Sequence, residues 1–392
     1  MMNTAPPPYP HPYAHPPRWS TAVWQTLRQR VTAPLEFWLR EIDPLWSVRE
    51  TRARVMAIRE ETPDTRTFVL EPNARWSGHR AGQYAPLTVT IDGARVTRCY
   101  SIASAPSAPY LRVTVKRVEG GRVSGWMHDH LQVGDIVLLG EPMGTFVMPE
   151  EGVPERMLWI AGGSGVTPML AMADALAERP EIKTSLVILY YARSRQDRIG
   201  YTRLRQAVSQ IEGAQMVSIC DDDPAGPGGF DEAHVRALVP DFAERHTWLC
   251  GPPGLMRCVE AMWTSAQALS LLQTERFTAP RPPTVDERPS TATPGELQQQ
   301  TVSVTLAGRG RVVTANAQAT LLEQLEQAGE RPAHGCRMGI CQSCRCRKVS
   351  GVVEDTLTGT LSREPDETIQ LCISVPRSDL VLELHNTSRN PS

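Results

Sequence analysis

The sequence predicts a multidomain protein of three unlike units: an antiparallel β-barrel, an α/β unit with a parallel sheet, and a small α+β unit. Three observations predict it. Short alternating apolar–polar runs fill residues 51–148, strand–helix alternation replaces them from 155 to 277, and a proline-rich stretch at 278–297 sets both apart from a cysteine-rich tail. A chain of 392 residues also exceeds one ordinary core. With 41% hydrophobic and 21% charged residues the composition is that of globular domains. A net charge of -2 gives no footprint for nucleic acid, and none is expected as a partner.

Residues 1–50 form a leader. Its opening, "MMNTAPPPYPHPYAHPP", lacks the apolar core of a signal peptide and reads as a disordered tail. Trp24, Leu27, Val31, Leu35, Trp38, Ile42 and Leu45 then recur at steps of three and four, one face of an amphipathic helix that Pro34 must kink or split. Two readings stay open: an arm packed on the main body, or a docking helix for a partner or a membrane surface. The longest apolar stretch is broken by Gly162, Gly163, Gly165 and Pro168, against a membrane span. The expected location is therefore the cytoplasm, with the leader able to lie against the inner face of the membrane.

Between 51 and 150, runs such as "TRTFVLEP" and "YLRVTVKRVEGG" read as strands, and Asp92-Gly93 as a hairpin turn. Between 151 and 277, "RMLWIAGG", "SLVILYYA" and "HTWLCGPPG" are buried strands, each followed by a helical pattern. Residues 278–297 hold five prolines and read as a linker. Residues 298–386 offer an opening hairpin, a helix ("TLLEQLEQAG"), a cysteine loop and closing strands.

That loop, "HGCRMGICQSCRC", packs four of the nine cysteines into thirteen residues. Disulfides rarely persist in the cytosol, where clustered thiols more often bind metal. Cys336, Cys341 and Cys344 follow C-x4-C-x2-C, with Cys372 arriving singly from far along the chain. This is plant-type [2Fe–2S] spacing; zinc, which favours paired C-x2-C knuckles, is the alternative. Gly335 and Gly339 let backbone amides approach bridging sulfides. Cys346 falls outside the pattern and is read as a bystander.

Upstream, "RCYSIAS" (98–104) offers an arginine to clamp phosphate, a tyrosine on the same strand face to stack on a flat ring, and a serine to bond a ring nitrogen. "GGRVS" (120–124) precedes a helix expected to begin near Gly125, where free amides can hold a pyrophosphate. "AGGSGVTPM" (161–169) follows a buried strand and opens a helix, and "CGPPG" (250–254) ends a later strand at the same sheet edge. The "HDH" at His128–His130 is read as surface.

In this order the motifs resemble the ferredoxin–NADP reductase superfamily over residues 51–277. "CRMGICQSC" resembles the loop of plant-type ferredoxins, whose domain is a β-grasp fold, over the last ninety residues. The resemblance implies that Arg98 binds flavin phosphate, Tyr100 stacks on the isoalloxazine and Ser101 sits near its N5. It implies that Gly121 and Ser124 cradle the FAD pyrophosphate and that Gly163, Gly165, Thr167 and Pro168 line the pyridine-nucleotide site. Cys250 would lie by the nicotinamide and, with Ser101, be catalytic; Gly251 would be among the cofactor-binding residues, and Cys336, Cys341, Cys344 and Cys372 would hold the cluster. FMN stays open beside FAD. The implied activity is NAD(P)H oxidation, with a flavin converting a two-electron hydride into the single electrons a [2Fe–2S] cluster accepts.

No residue set for a terminal oxidation is apparent, so the acceptor is expected to be another protein, an oxygenase component or a desaturase. The leader ending "REIDPLWS" resembles that of bacterial reductases serving membrane acyl desaturases, which favours a desaturase. The donor is expected to be NADPH: Arg193, Arg195 and Arg198 follow the second strand of the α/β unit, where an NAD site normally offers a carboxylate. NADH remains the alternative. So do a ring-hydroxylating oxygenase or other monooxygenase as acceptor, a self-contained reductase of a small molecule, and an iron–sulfur redox sensor.

Overall fold

A computed structural model describes residues 36, 38–39, 41–277 and 301–384, apart from 225, 309, 336, 338, 340 and 341. The leader pattern before residue 36 and the 278–297 linker lie outside the described residues, as do Cys336 and Cys341.

The first unit is a six-stranded antiparallel sheet, ordered β4-β3-β6-β1-β2-β5, of β1 (Thr51–Thr62), β2 (Thr65–Pro72), β3 (Tyr84–Ile91), β4 (Ala94–Ser101), β5 (Leu111–Lys116) and β6 (Ile136–Leu139). An isolated bridge between Ile102 and Val113 joins its two edges into a barrel. Alternation puts Val55, Phe68, Leu70, Leu87, Val113 and Val115 inside. Asp92 (φ 51°) and Gly93 (φ 74°) turn β3 into β4, as the Asp-Gly pair predicts. The helix after β5 spans Arg122–His130 and so begins three residues earlier than expected, because Gly121 (φ -70°, ψ 107°) already serves as its N-cap. His128 is a correction: it is buried, and its Nε2 lies 2.9 Å from Val115 O, so it ties this helix to β5.

The second unit is a five-stranded parallel sheet, ordered β11-β10-β7-β8-β9, of β7 (Arg156–Gly162), β8 (Ser185–Ala192), β9 (Ala214–Cys220), β10 (His246–Cys250) and β11 (Leu272–Glu275). Helices cover both faces, so the central β7 reads "MLWIAG" without alternation and is buried throughout.

The third unit pairs β12 (Val302–Leu306), β13 (Arg311–Ala315), β14 (Arg345–Ser350), β17 (Glu367–Gln370) and β19 (Leu380–Glu383) in the order β13-β12-β19-β14-β17. A three-stranded sheet of β15 (Val353–Asp355), β16 (Leu361–Ser362) and β18 (Ser374–Pro376) flanks it. The helix Leu321–Gln327 starts on a capping box between Thr320 and Glu323. Lys348 is fully buried, and its Nζ donates to the carbonyls of Gly351, Ser362 and Glu364, pinning the loops around the sheet.

What is described of the leader packs on the barrel. Glu36 is buried against Arg52, Ser47 and Val48; Arg52 donates to Pro44 O and Asn73 to Leu45 O. Trp38 (64%), Ile42 (70%) and Trp46 (47%) remain exposed, so this arm both clings to the barrel and presents apolar groups outward.

Candidate functional site

On β4, residues 98 and 100 share a face by strand alternation and 101 takes the other. Arg98 is partly buried and donates to Thr97 O at 2.8 Å and to Gly335 O, in the cysteine loop, at 3.1 Å. Tyr100 packs against the barrel core, and burial pushes its hydroxyl above the ordinary range. Ser101 Oγ is buried and has no hydrogen-bond partner within the protein. At the Arg122–His130 helix start, any side chain on Gly121 would come within 2.5 Å of Ser124 Oγ, which accepts from Val118 N–H at 3.1 Å. No side chain caps that helix, so its first amides stay available to an anion.

The nucleotide unit converges on the same region from the other side. After β7, Gly163 (φ 52°) opens a tight turn, and the helix Thr167–Ala177 begins with Pro168 in its first turn. Thr167 Oγ1 donates to Ser164 O at 2.9 Å. Gly165 lies flat against the end of β10: a Cβ there would sit 2.1 Å from Cys250 O. Gly162 and Gly251 touch in the same way, with 3.2 Å from the second residue's Cβ position to the first one's Cα. Beside this edge is a cavity of about 600 Å³, lined by Gly163, Tyr191, Arg193, Asp197, Phe230 and Arg257 among others. Arg193 is exposed and pairs with Asp64 (3.4 Å) and Asp197 (3.2 Å). Arg195 points to Asp223 at 3.9 Å and is not among the cavity-lining residues.

One residue escaped the sequence reading. Glu275 ends β11 directly opposite Cys250 on β10, and its Oε2 is buried without a hydrogen-bond partner. Burial pushes its carboxyl up to about 8. Cys250 is itself fully buried, and burial, with the Glu275 charge, drives its thiol well above the usual range. Glu275 also faces Gly144, which packs on the Tyr84 ring, and Tyr84 pairs with Ser101 across β3 and β4. Barrel and nucleotide unit thus meet around two orphaned oxygens, Ser101 Oγ and Glu275 Oε2. A flat heteroaromatic ring with donors and acceptors fits that environment. The signal for Glu275 was a lone carboxyl in a short strand, legible only once β11 pairs with β10.

In the third unit, Cys344 and Cys372 are buried with their Sγ atoms 3.2 Å apart. Gly339 N–H donates to Cys372 Sγ at 3.2 Å, and Gln370 Nε2 holds Gly339 O at 2.7 Å. Converging thiols with an amide aimed at sulfur form a donor set for a thiolate-held cluster. Cys346 is buried in the apolar core, opposite Ile369.

The oxidoreductase FAD-binding domain family matches residues 52–148, the oxidoreductase NAD-binding domain family 159–261, and the 2Fe-2S iron-sulfur cluster binding domain family 304–377. A protein of Mycobacterium tuberculosis named NADPH oxidoreductase is 34% identical over 380 residues, covering 92% of this chain and 93% of its own. The chain belongs to the ferredoxin–NADP reductase superfamily, in the class with a C-terminal [2Fe–2S] ferredoxin domain. This reductase is an NAD(P)H-dependent flavin oxidoreductase whose cofactors are FAD, a [2Fe–2S] cluster and a pyridine nucleotide. It is also 30% identical over 355 residues to the glycine betaine monooxygenase reductase subunit of Pseudomonas aeruginosa, covering 86% of this chain and 96% of that one. It shares its fold with phthalate dioxygenase reductase, at a TM-score of 0.57 and 24% identity, covering 86% of this chain and 98% of that one. No helix of the described residues is long and apolar enough to cross a membrane.

Proposed function

We propose that this reductase takes hydride from NADPH and delivers single electrons through FAD and the [2Fe–2S] cluster to a membrane fatty-acyl desaturase. The observation that carries the route is the hydrogen bond from Arg98 to Gly335 O, which joins the flavin strand to the cysteine loop. Bound FAD supplies the exchange between two-electron and one-electron chemistry. The chain's residues do the rest. Arg98 holds the flavin phosphate while its remaining N–H groups keep the cluster loop in place. Tyr100 stacks on the ring, Ser101 Oγ donates to a ring nitrogen, and Gly121 with Ser124 cradles the pyrophosphate. Gly163, Gly165, Thr167, Pro168 and Gly251 seat the nucleotide against Cys250, where Glu275 holds a proton at Oε2. Cys336, Cys341, Cys344 and Cys372 hold the cluster.

The choice of NADPH rests on Arg193. Its partners Asp64 and Asp197 are partly exposed carboxylates that a 2′-phosphate can replace on the same guanidinium. Arg195 is the second candidate at that strand end. The choice of a desaturase rests on the leader, whose exposed Trp38, Ile42 and Trp46 suit the boundary of a membrane that houses the acceptor. A second reading, NADH feeding a soluble oxygenase component, is favoured by Asp197 and Asp221 in the cavity, which suit ribose hydroxyls, and by the relative named as a monooxygenase reductase subunit.

Removing residues 1–35, with Trp38→Ser and Ile42→Ser, keeps the Glu36 anchor and separates the two. NADPH-to-cytochrome transfer in solution is expected to stay within about twofold, as for surface changes away from a packed core. Oleate formation with a desaturase in membrane vesicles is expected to fall several-fold. Survival of both rates counts against the docking role, and efficient turnover of a soluble oxygenase component by either form favours the second reading.

A further inference from the structure

The β1–β2 hairpin of the barrel reaches the nucleotide unit with two carboxylates, and both meet the segment that follows β8. Glu61 Oε2 accepts from the Gly200 N–H at 3.2 Å, and Thr67 steadies the same carboxylate by donating to Oε1 at 2.8 Å. Asp64 Oδ2 accepts from a side chain instead, Arg193 Nη2 at 3.4 Å. Gly200 is not among the residues lining the nucleotide cavity, whereas Arg193 is. One tie is therefore out of a nucleotide's reach and the other is within it.

Asp64 itself is held fast. Thr62 Oγ1 and Thr65 Oγ1 donate to its Oδ1 at 2.9 and 3.0 Å, and the Arg117 N–H donates to its carbonyl at 2.7 Å. Lys116 Nζ lies 3.2 Å from the same Oδ2 that meets Arg193. The Arg193 side chain, by contrast, is 66% exposed. Its other partner, Asp197, sits four residues on in its own segment and is bonded there to Ser194, so the tie to the barrel is made by Asp64.

We infer that Asp64 tunes nucleotide preference from the barrel side, by competing with the 2′-phosphate of NADPH for the Arg193 guanidinium, a role that rests on the proposed contact between Arg193 and that phosphate. A phosphate monoester carries about −1.5 to −2 charges near neutral pH against one on the carboxylate, so it prevails on the guanidinium. The pair that breaks subtracts from the gain. Asp64 is not stranded by the exchange, because Lys116 and two threonine hydroxyls stay on it. Loading thus swaps one ion pair for another, and the bond from Gly200 N–H to Glu61 keeps the hairpin on the segment. Asp64 is a specificity-determining residue that acts against NADPH.

The probes are 2′,5′-ADP, which carries the 2′-phosphate, and 5′-AMP, which lacks it, titrated calorimetrically into the complete holoprotein at low salt. Asp64→Asn keeps an oxygen for Thr62 and Thr65. It is expected to tighten 2′,5′-ADP about three- to fivefold, the scale of one partly exposed ion pair. Binding of 5′-AMP should stay within about twofold. The Michaelis constant for NADPH should fall by the same factor as the 2′,5′-ADP constant, with that for NADH unchanged. Asp64→Ser also keeps an oxygen and is expected to act alike. Glu61→Gln removes the same charge from the same hairpin without touching Arg193, and should alter neither ligand. In Arg193→Ala protein the gain from Asp64→Asn should vanish. Unchanged or weaker 2′,5′-ADP binding in both Asp64 variants, equal tightening in Glu61→Gln, or a gain that persists without Arg193 overturns the role of Asp64. Should Arg193→Ala instead weaken both ligands equally, or neither, the contact between Arg193 and the 2′-phosphate is what fails.

Discussion

In the flavin–nucleotide half, the candidate contacts come from β4, the helix start at Gly121, the turn at Gly163 and the ends of β10 and β11. They are separated by up to 177 residues, from Arg98 to Glu275, and meet only because the barrel and the nucleotide unit fold against each other, as where Glu275 faces Gly144. In the ferredoxin unit, three candidate thiols share one loop and a fourth comes from the segment beside it. The first arrangement divides the work among many weak contacts, each replaceable at modest cost. The second concentrates it in a few covalent ligands, none of which the others can replace. Substitutions should therefore act gradually in one half and all-or-none in the other.

The largest expected effect tests the all-or-none side. Cys372→Ser or Cys344→Ser should lose the iron and nearly all cytochrome c reduction, with NAD(P)H-to-ferricyanide turnover kept, because the flavin half has its own sheets and core. Iron analysis with the two assays decides it. A graded, partial loss of iron would break the contrast.

Glu275→Gln comes next. A positioned acid or base commonly contributes about 100-fold or more, and here a fall of roughly 10- to 100-fold in the rate of hydride transfer is expected. Its stability signature has a definite sign. Because the folded carboxyl titrates at about 8 against an ordinary 4.5, the folded chain keeps a proton that the unfolded chain releases. That contribution is complete below 4.5 and is lost as pH rises through 8, so wild-type melting temperature should fall across this window more than that of Glu275→Gln. Parallel pH profiles would place the titration elsewhere.

Arg193→Ala should be smaller still: roughly a tenfold rise in the Michaelis constant for NADPH, the scale of one charge-assisted hydrogen bond, with NADH little changed. Arg195→Ala should act less, since Arg195 lies off the cavity. Equal shifts for both nucleotides would remove the case for a 2′-phosphate contact.

The same contrast governs how much could be read from sequence. The cysteine loop could be assigned to a 2Fe-2S domain because thiol spacing within one loop is a local property, and the domain family matching residues 304–377 agrees with that assignment. The Gly163–Pro168 turn was legible for the same reason, since a positive φ and a helix start lie within six residues. Glu275 was not, because nothing around "LQTE" marks it until parallel pairing sets it opposite Cys250. His128 misled in the opposite direction: "HDH" on a polar helix reads as surface, but one imidazole turns inward to Val115 O. The Arg98–Gly335 contact joins residues 237 apart, a separation at which pattern carries no information.

The smallest expected effect falls on the cysteine that a count of thiols makes most suspicious. Cys346 is two residues from Cys344, and a slip of the ligand set by one knuckle would recruit it. The strand opposes this. Cys346 pairs with Ile369 across β14 and β17, is 1% exposed, and packs in the apolar cluster with Leu306, Leu321 and Leu382. Cys344, by contrast, precedes β14 and lies against Cys372. Replacing Cys346 by alanine deletes one small buried group and should cost about 1 kcal/mol of stability, with iron content and both electron-transfer rates unchanged. Serine should cost more than alanine, since its hydroxyl would be buried among apolar neighbours. Loss of iron in Cys346→Ala with iron retained in Cys372→Ser would reverse the ligand assignment.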